Sequence, residues 1–161
     1  MIRCMIRLPV LWLSLILVTG CAQNDSPEQQ IREVIERSEA AIEARALLDA
    51  RSLLSDAYQD AEKRTKPELV RLLGGYFLRN KSIHLLVQIE RINLDDPTRP
   101  RVTLYAAMAA NPFADVDELS GLRAALYRFD LELIHEADEW RLVSGRWQPA
   151  TRDDFLGLTR Q

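Results

Sequence analysis

Seven residues of this chain stand as candidates for moving a proton or steadying a developing negative charge. They are Tyr58, Asp60, His84, Tyr127, Arg128, Asp130 and His135. A carboxylate or imidazole withdrawn from water has its pKa drawn toward neutrality, which is what acid–base catalysis at neutral pH requires. Their spacing matches no catalytic pattern. His84 and His135 stand far apart, with no HxH or HExxH arrangement and no free thiol to complete a metal site. A glycine-rich phosphate loop and a Gly-x-Ser-x-Gly elbow are both missing from the sequence. The residues therefore predict no catalytic group, no metal and no cofactor. Tyr58 reads as a tyrosine packing on the first helix, Asp60 as a solvated aspartate and His135 as a rim histidine.

Composition frames these candidates. The chain has 161 residues, 47% hydrophobic and 28% charged, as one ordinary globular domain does. Lys and Arg total 21 against 24 Asp and Glu, so there is no basic field of the kind that nucleic acid requires.

The first residues read as an address. Arg3 and Arg7 precede an apolar run from Leu8 to Val18, which is shorter than the roughly 20 residues that span a bilayer. Val18-Thr19-Gly20-Cys21 follows at once and resembles the lipobox of bacterial lipoproteins, with Val18 where leucine is commonest. The resemblance implies cleavage after Gly20, a diacylglyceryl group on the Cys21 sulfur and an acylated amine. Cys4 would leave with the leader, so no disulfide is expected. Removing Arg3 and Arg7 leaves 19 basic residues (21 minus 2) against 24 acidic, a mature charge of −5. Ala22 in place of aspartate implies, by similarity to enterobacterial lipoproteins, the periplasmic face of the outer membrane. The expected organisation is a leader over 1–20, a lipidated cysteine and tether over 21–26, a domain over 27–150 and a flexible, polar tail over 151–161.

Within the domain, Ser26-Pro27-Glu28-Gln29 is a helix start with a capping residue, a first-turn proline and a capping-box glutamine. Ile31, Val34, Ile35, Ser38 and Ile42 recur at helical spacing, with Arg32, Glu33, Glu36, Arg37 and Glu39 on the other side. This helix is expected to reach about Leu48, followed by a short one from Asp49 to Leu54. Tyr58-Gln59-Asp60 reads as a brief strand or extended loop. Thr65 and Glu68 open a further helix with the apolar stripe Leu69, Val70, Leu72, Leu73, Tyr76 and Phe77. Gly74-Gly75 within it predicts close packing.

After Asn80 the period becomes two. Ile83, Leu85, Val87 and Ile89 mark a first strand, and Val102, Leu104, Ala106 and Met108 a second. A loop from Asn111 to Gly121, with room for a helical turn, leads to a long third strand from Ala125 to His135. A fourth runs from Trp140 to Gln148, with a bulge signal at Ser144-Gly145.

Helices followed by an antiparallel meander argue an α+β fold, with N-terminal helices packed in the concave face of a curved, mainly antiparallel sheet of four to five strands. Together with Asp56-Ala57-Tyr58-Gln59-Asp60, and with Asp138-Glu139-Trp140 leading to Gly145-Arg146-Trp147, this order resembles the nuclear transport factor two-like superfamily (polyketide-cyclase-like, cystatin-like) over about residues 27–150. The resemblance implies a cone, often with an apolar pocket at its wide end, and frequent dimers through the outer sheet face. The superfamily includes isomerases and dehydratases, so a small enzyme using Tyr58, Asp60 or His135 is one reading.

Alternation sorts the strands into faces. Met108, Tyr127, Phe129 and Trp147 can line an apolar pocket, joined by Tyr58 and by His135 near a strand end; the same stripe is also ordinary core. Arg128, Asp130, Glu132 and His84 fall outside the core. Leu86, Tyr105, Ala107, Ala109, Ala124, Leu126 and Ile134 put apolar groups on the outer face as well. A sheet face that meets only water alternates more cleanly. A cover is therefore expected over Leu86, Tyr105, Leu126 and Ile134, from a homodimer or an envelope partner. The resulting reading is a lipid-anchored, non-catalytic binding or assembly module, with a carrier of a small apolar ligand as the alternative.

Overall fold

The computed structural model describes residues 26–113 and 124–158. The expected leader, Cys21, the tether through Asp25 and most of the 111–121 loop lie outside the described residues. Three helices, α1 (Pro27–Glu43), α2 (Leu47–Ser52) and α3 (Lys66–Arg79), precede strands β1 (His84–Asn93), β2 (Arg101–Ala109), β3 (Ala125–Glu136) and β4 (Glu139–Pro149). Helix α4 (Arg152–Leu158) follows. The strands form one antiparallel sheet in the order β1-β2-β3-β4. The architecture is α+β, with helices α1 to α3 on one face of a curved sheet.

The Ser26 hydroxyl accepts from the Gln29 N–H at 3.2 Å, with Pro27 in the first turn of α1. The helix stops at Glu43, short of Leu48. Arg45 takes a left-handed conformation (φ 53°), with Arg45 N–H bonded to Ile42 O and Ala46 N–H to Ala41 O. That is a Schellman stop built on arginine instead of glycine, and it shifts α2 two residues earlier than the sequence suggests. Glu68 accepts from the Thr65 N–H at 2.8 Å and starts α3. Gly74 lets α3 approach α2: a Cβ there would meet Leu47 Cδ2 at 3.3 Å.

Ile31, Val34 and Ile35 of α1 pack with Val102, Leu104, Leu133 and Trp140, where the cone narrows. Trp140 donates its indole N–H to Gln30 Oε1 at 2.9 Å and closes that end. The register skips one residue in β4, Val143, because Leu133 pairs with Leu142 while Glu132 pairs with Ser144. A second skip at Glu90 in β1 keeps both Ile89 and Ile92 on the core side.

Both sheet edges have company. Residues 53–61 run beside β4, turning between Ser55 and Tyr58, with bonds from Ser55 N–H to Leu142 O (2.8 Å), Gln59 N–H to Val143 O (3.0 Å) and Ala61 N–H to Gly145 O (3.0 Å). On the other edge, Glu43 Oε1 accepts from the Leu85 N–H at 2.8 Å, and the Val87 N–H approaches the Glu39 carboxyl. Four residues of helix rise about 6 Å and two of strand about 6.6 Å, so carboxylates at i and i+4 of α1 match successive outward N–H groups of β1.

The expected loose tail is a correction. Residues 152–158 form α4, and Phe155 within it is wholly buried against Tyr105, ring edge to ring face, with centroids 5.6 Å apart. Thr151 starts the helix, its N–H donating to Asp154 Oδ2 at 2.7 Å. A seven-residue helix with charged Arg152, Asp153 and Asp154 has too few apolar positions to show a period.

Candidate functional site

A cavity of about 410 Å³ lies between the helices and the concave face of the sheet. It exists because α3 rests on α2 and stands off the strands. Of α3, only Phe77 is buried; Leu69, Leu73 and Tyr76 are half-buried in the cavity wall, and Leu72 is 46% exposed at its margin. Ile35 and Ile42 of α1 complete an aliphatic roof.

The floor follows from strand register. Val87, Ala106 and Tyr127 are successive partners across β1, β2 and β3, and the small Ala106 leaves depth between its larger neighbours. Beside them runs an aromatic wall. Tyr127 and Phe129 are two apart on β3, with centroids 6.2 Å apart, and Trp147 is the cross-strand partner of Phe129, at 6.3 Å. Arg64 covers Trp147, its guanidinium carbon 4.6 Å from the ring centroid.

Five of the six pocket candidates, Tyr58, Met108, Tyr127, Phe129 and Trp147, line this cavity. His135 does not. It is exposed and packs edge-on against Trp140, with centroids 4.9 Å apart. Alternation puts it on the right face, but eight residues from Tyr127 carry it about 26 Å along the strand, toward the narrow end. Tyr58 is buried and reaches the wall because Gly145 of β4 has no side chain; a Cβ there would stand 3.4 Å from the Tyr58 hydroxyl and 3.3 Å from Leu131 Cδ2. Burial, then the negative charge of Asp60, pushes the Tyr58 phenol far up, so it stays protonated.

Asp60 is not the solvated aspartate of the sequence reading. Its side chain is fully buried and accepts from the Glu62 N–H (3.0 Å), the Arg64 N–H (2.8 Å) and Arg64 Nε (2.6 Å). Those bonds fix the turn that carries Arg64 over Trp147, and they commit the carboxylate to structure. His84 Nε2 lies 3.0 Å from Ser82 Oγ, outside the cavity wall. Among the described residues no group of three or more His, Cys, Asp or Glu could hold a metal ion, and no helix is long and apolar enough to cross a membrane.

Glu39, Tyr76 and Arg79 also line the cavity. Sequence reasoning placed Glu39 on the solvent side of α1, whereas the helix turns it toward β1. Burial raises its carboxyl above the ordinary range, and Glu43 adds to this; the Val87 N–H opposes. Burial, with Tyr127 nearby, raises the Tyr76 phenol. A glutamate four residues after Ile35, at core spacing, was the available signal.

The opposite sheet face carries α4. Tyr105, Ala107 and Phe155 form a small core, with Leu86, Ala124 and Leu126 packed against it. The cover over Leu86, Tyr105 and Leu126 is thus the chain's own helix, while Ile134 is half-buried beyond it. Arg128 and Asp130 lie on this face, 3.2 Å apart, with Glu90 3.9 Å from Arg128 and the Thr103 hydroxyl donating to Asp130 at 3.0 Å.

No model of a known protein family matches the sequence, and no curated protein matches it significantly. Solved structures do. A candidate scytalone dehydratase from Novosphingobium aromaticivorans superposes with a TM-score of 0.64 at 8% identity, over 77% of this chain and 84% of that one. A candidate dehydratase of the nuclear transport factor two-like family from Streptomyces avermitilis gives 0.61 at 16%, over 78% and 97%. Bd1075 from Bdellovibrio bacteriovorus gives 0.58 at 10%, over 76% of this chain but only 40% of that longer protein. The chain has the α+β fold of these nuclear transport factor two-like structures.

Proposed function

We propose that this protein is exported, lipidated at Cys21 and held on the periplasmic face of the outer membrane, and that its domain binds a small, largely apolar molecule without transforming it. One observation carries the binding reading: the helices leave an apolar cavity of about 410 Å³ instead of closing on the sheet. That volume falls in the range of pockets for drug-sized ligands, and apolar walls with a few polar groups are their usual lining. Leu69, Leu72, Leu73 and Tyr76 stay partly open to it, so an occupant would bury apolar surface at about 25 cal/mol per Å². Binding is preferred to catalysis because Asp60 is spent on Arg64 and both histidines lie off the cavity. The likeness to candidate dehydratases supports the pocket more than the chemistry.

Native mass spectrometry on the chain from Ala22 onward, which keeps every described residue, tests this. A reproducible added mass that is lost on denaturation is expected. A bare protein whose melting temperature no apolar probe raises would overturn it. The anchor is tested separately: Cys21→Ala should release the protein from membranes, and continued membrane retention would overturn lipidation.

A further inference from the structure

The cavity's charge and shape say more about its occupant. Among the described residues Glu39 is the one acidic residue in the wall, and no Lys or Arg among them lies within ion-pair distance of it. Its electrostatic neighbours are Glu43 and Glu36, both carboxylates. A half-buried carboxylate with only like charges nearby has lost part of its hydration and gained no cation in exchange, which a ligand can supply. Arg79, the other charged residue in the wall, is exposed at the end of α3 and remains hydrated. An anionic ligand would gain little from it. Glu39 lies beside Val87, and the register runs Val87, Ala106, Tyr127, so two inter-strand spacings, about 10 Å, separate the carboxyl's strand from the aromatic wall. The small Ala106 leaves that path open.

We infer that the cavity takes a ring-bearing apolar amine, its ammonium group on Glu39 and its rings against Tyr127, Phe129 and Trp147. This rests on the ligand-binding reading above and names the class of ligand. A cation paired with a carboxylate in a partly dry site makes a charge-assisted hydrogen bond, and ring faces attract ring edges and cations alike.

The test uses three probes on one skeleton, 1-naphthylmethylamine, 1-naphthalenemethanol and 1-naphthoate, titrated by fluorescence into the chain from Ala22. The amine should bind about tenfold tighter than the carboxylate, equivalent to about 1.4 kcal/mol. Glu39→Gln should bring amine and alcohol to equal affinity, while Glu33→Gln, on the exposed side of α1 and outside the cavity wall, should leave their ratio unchanged. Glutamine keeps an oxygen for the Val87 N–H, so the fold should persist, and circular dichroism checks it. If the carboxylate or alcohol binds as tightly as the amine, or Glu39→Gln changes nothing, the amine inference is overturned while the ligand-binding reading stands. If none of the three binds, both fall.

Discussion

The two faces of the sheet bury apolar side chains by opposite means. On the convex face, one seven-residue helix drives Phe155 onto Tyr105 and Ala107 and leaves a dense patch. On the concave face three helices arch over the strands, and α3 is held away from them by its seat on α2. More helix therefore covers the concave side, yet a cavity of about 410 Å³ lies there. Close packing depends on how near a covering element can come, and α3 takes its position from another helix.

The largest effect should come from Phe155→Ala, which removes the one large wholly buried ring of the convex patch and should cost about 3 kcal/mol in urea unfolding. Ligand binding should be unaffected. A loss below about 1 kcal/mol would mean that α4 contributes little to closing that face.

Ala106 and Ala107 are adjacent in β2 and point to opposite faces, which makes them a direct probe. Ala107→Leu forces extra atoms beneath α4 and should cost about 1–3 kcal/mol. Ala106→Leu fills cavity instead; it should change stability by less than about 1 kcal/mol and weaken the amine probe at least about tenfold. Equal costs at both positions would erase the contrast between the faces. Gly145→Ala should cost about 1 kcal/mol, because its new methyl group meets Leu131 and the Tyr58 hydroxyl, and it should perturb probe binding by moving Tyr58.

The smallest effect concerns pH. Burial and Glu43 raise the Glu39 pKa, so its charged form is disfavoured in the folded chain. That penalty is present at neutral pH and vanishes as pH falls through the folded value to below about 4, where the carboxyl is protonated in both states. Glu39→Gln should therefore raise the melting temperature slightly near pH 7 and lose the advantage in acid. An advantage that grows in acid would contradict the buried position of Glu39.

Strands were legible because alternation survives any local detail: the expected limits of the third and fourth strands fall within one residue of the structure. The end of α1 was not, since Arg45 adopts the conformation that glycine usually announces. The cavity was half legible. Tyr127, Phe129 and Trp147 follow from period two, but whether such a stripe closes into core or lines a void depends on where α3 rests, which no local pattern encodes. Glu39 was misplaced because a charged residue on an amphipathic helix reads as solvent-facing unless the strand edge beside it is known.

The two occupied sheet edges bear on behaviour at high local concentration. An open strand edge is a template on which another copy can add its own strand, and growth of that kind leads to fibres. Here the backbone of residues 53–61 lies along the middle of one edge, and two carboxylates of α1 meet the start of the other. Copies crowded together would find these stretches of backbone already occupied, so contacts there would pass through side chains, which can be tuned or repelled one at a time.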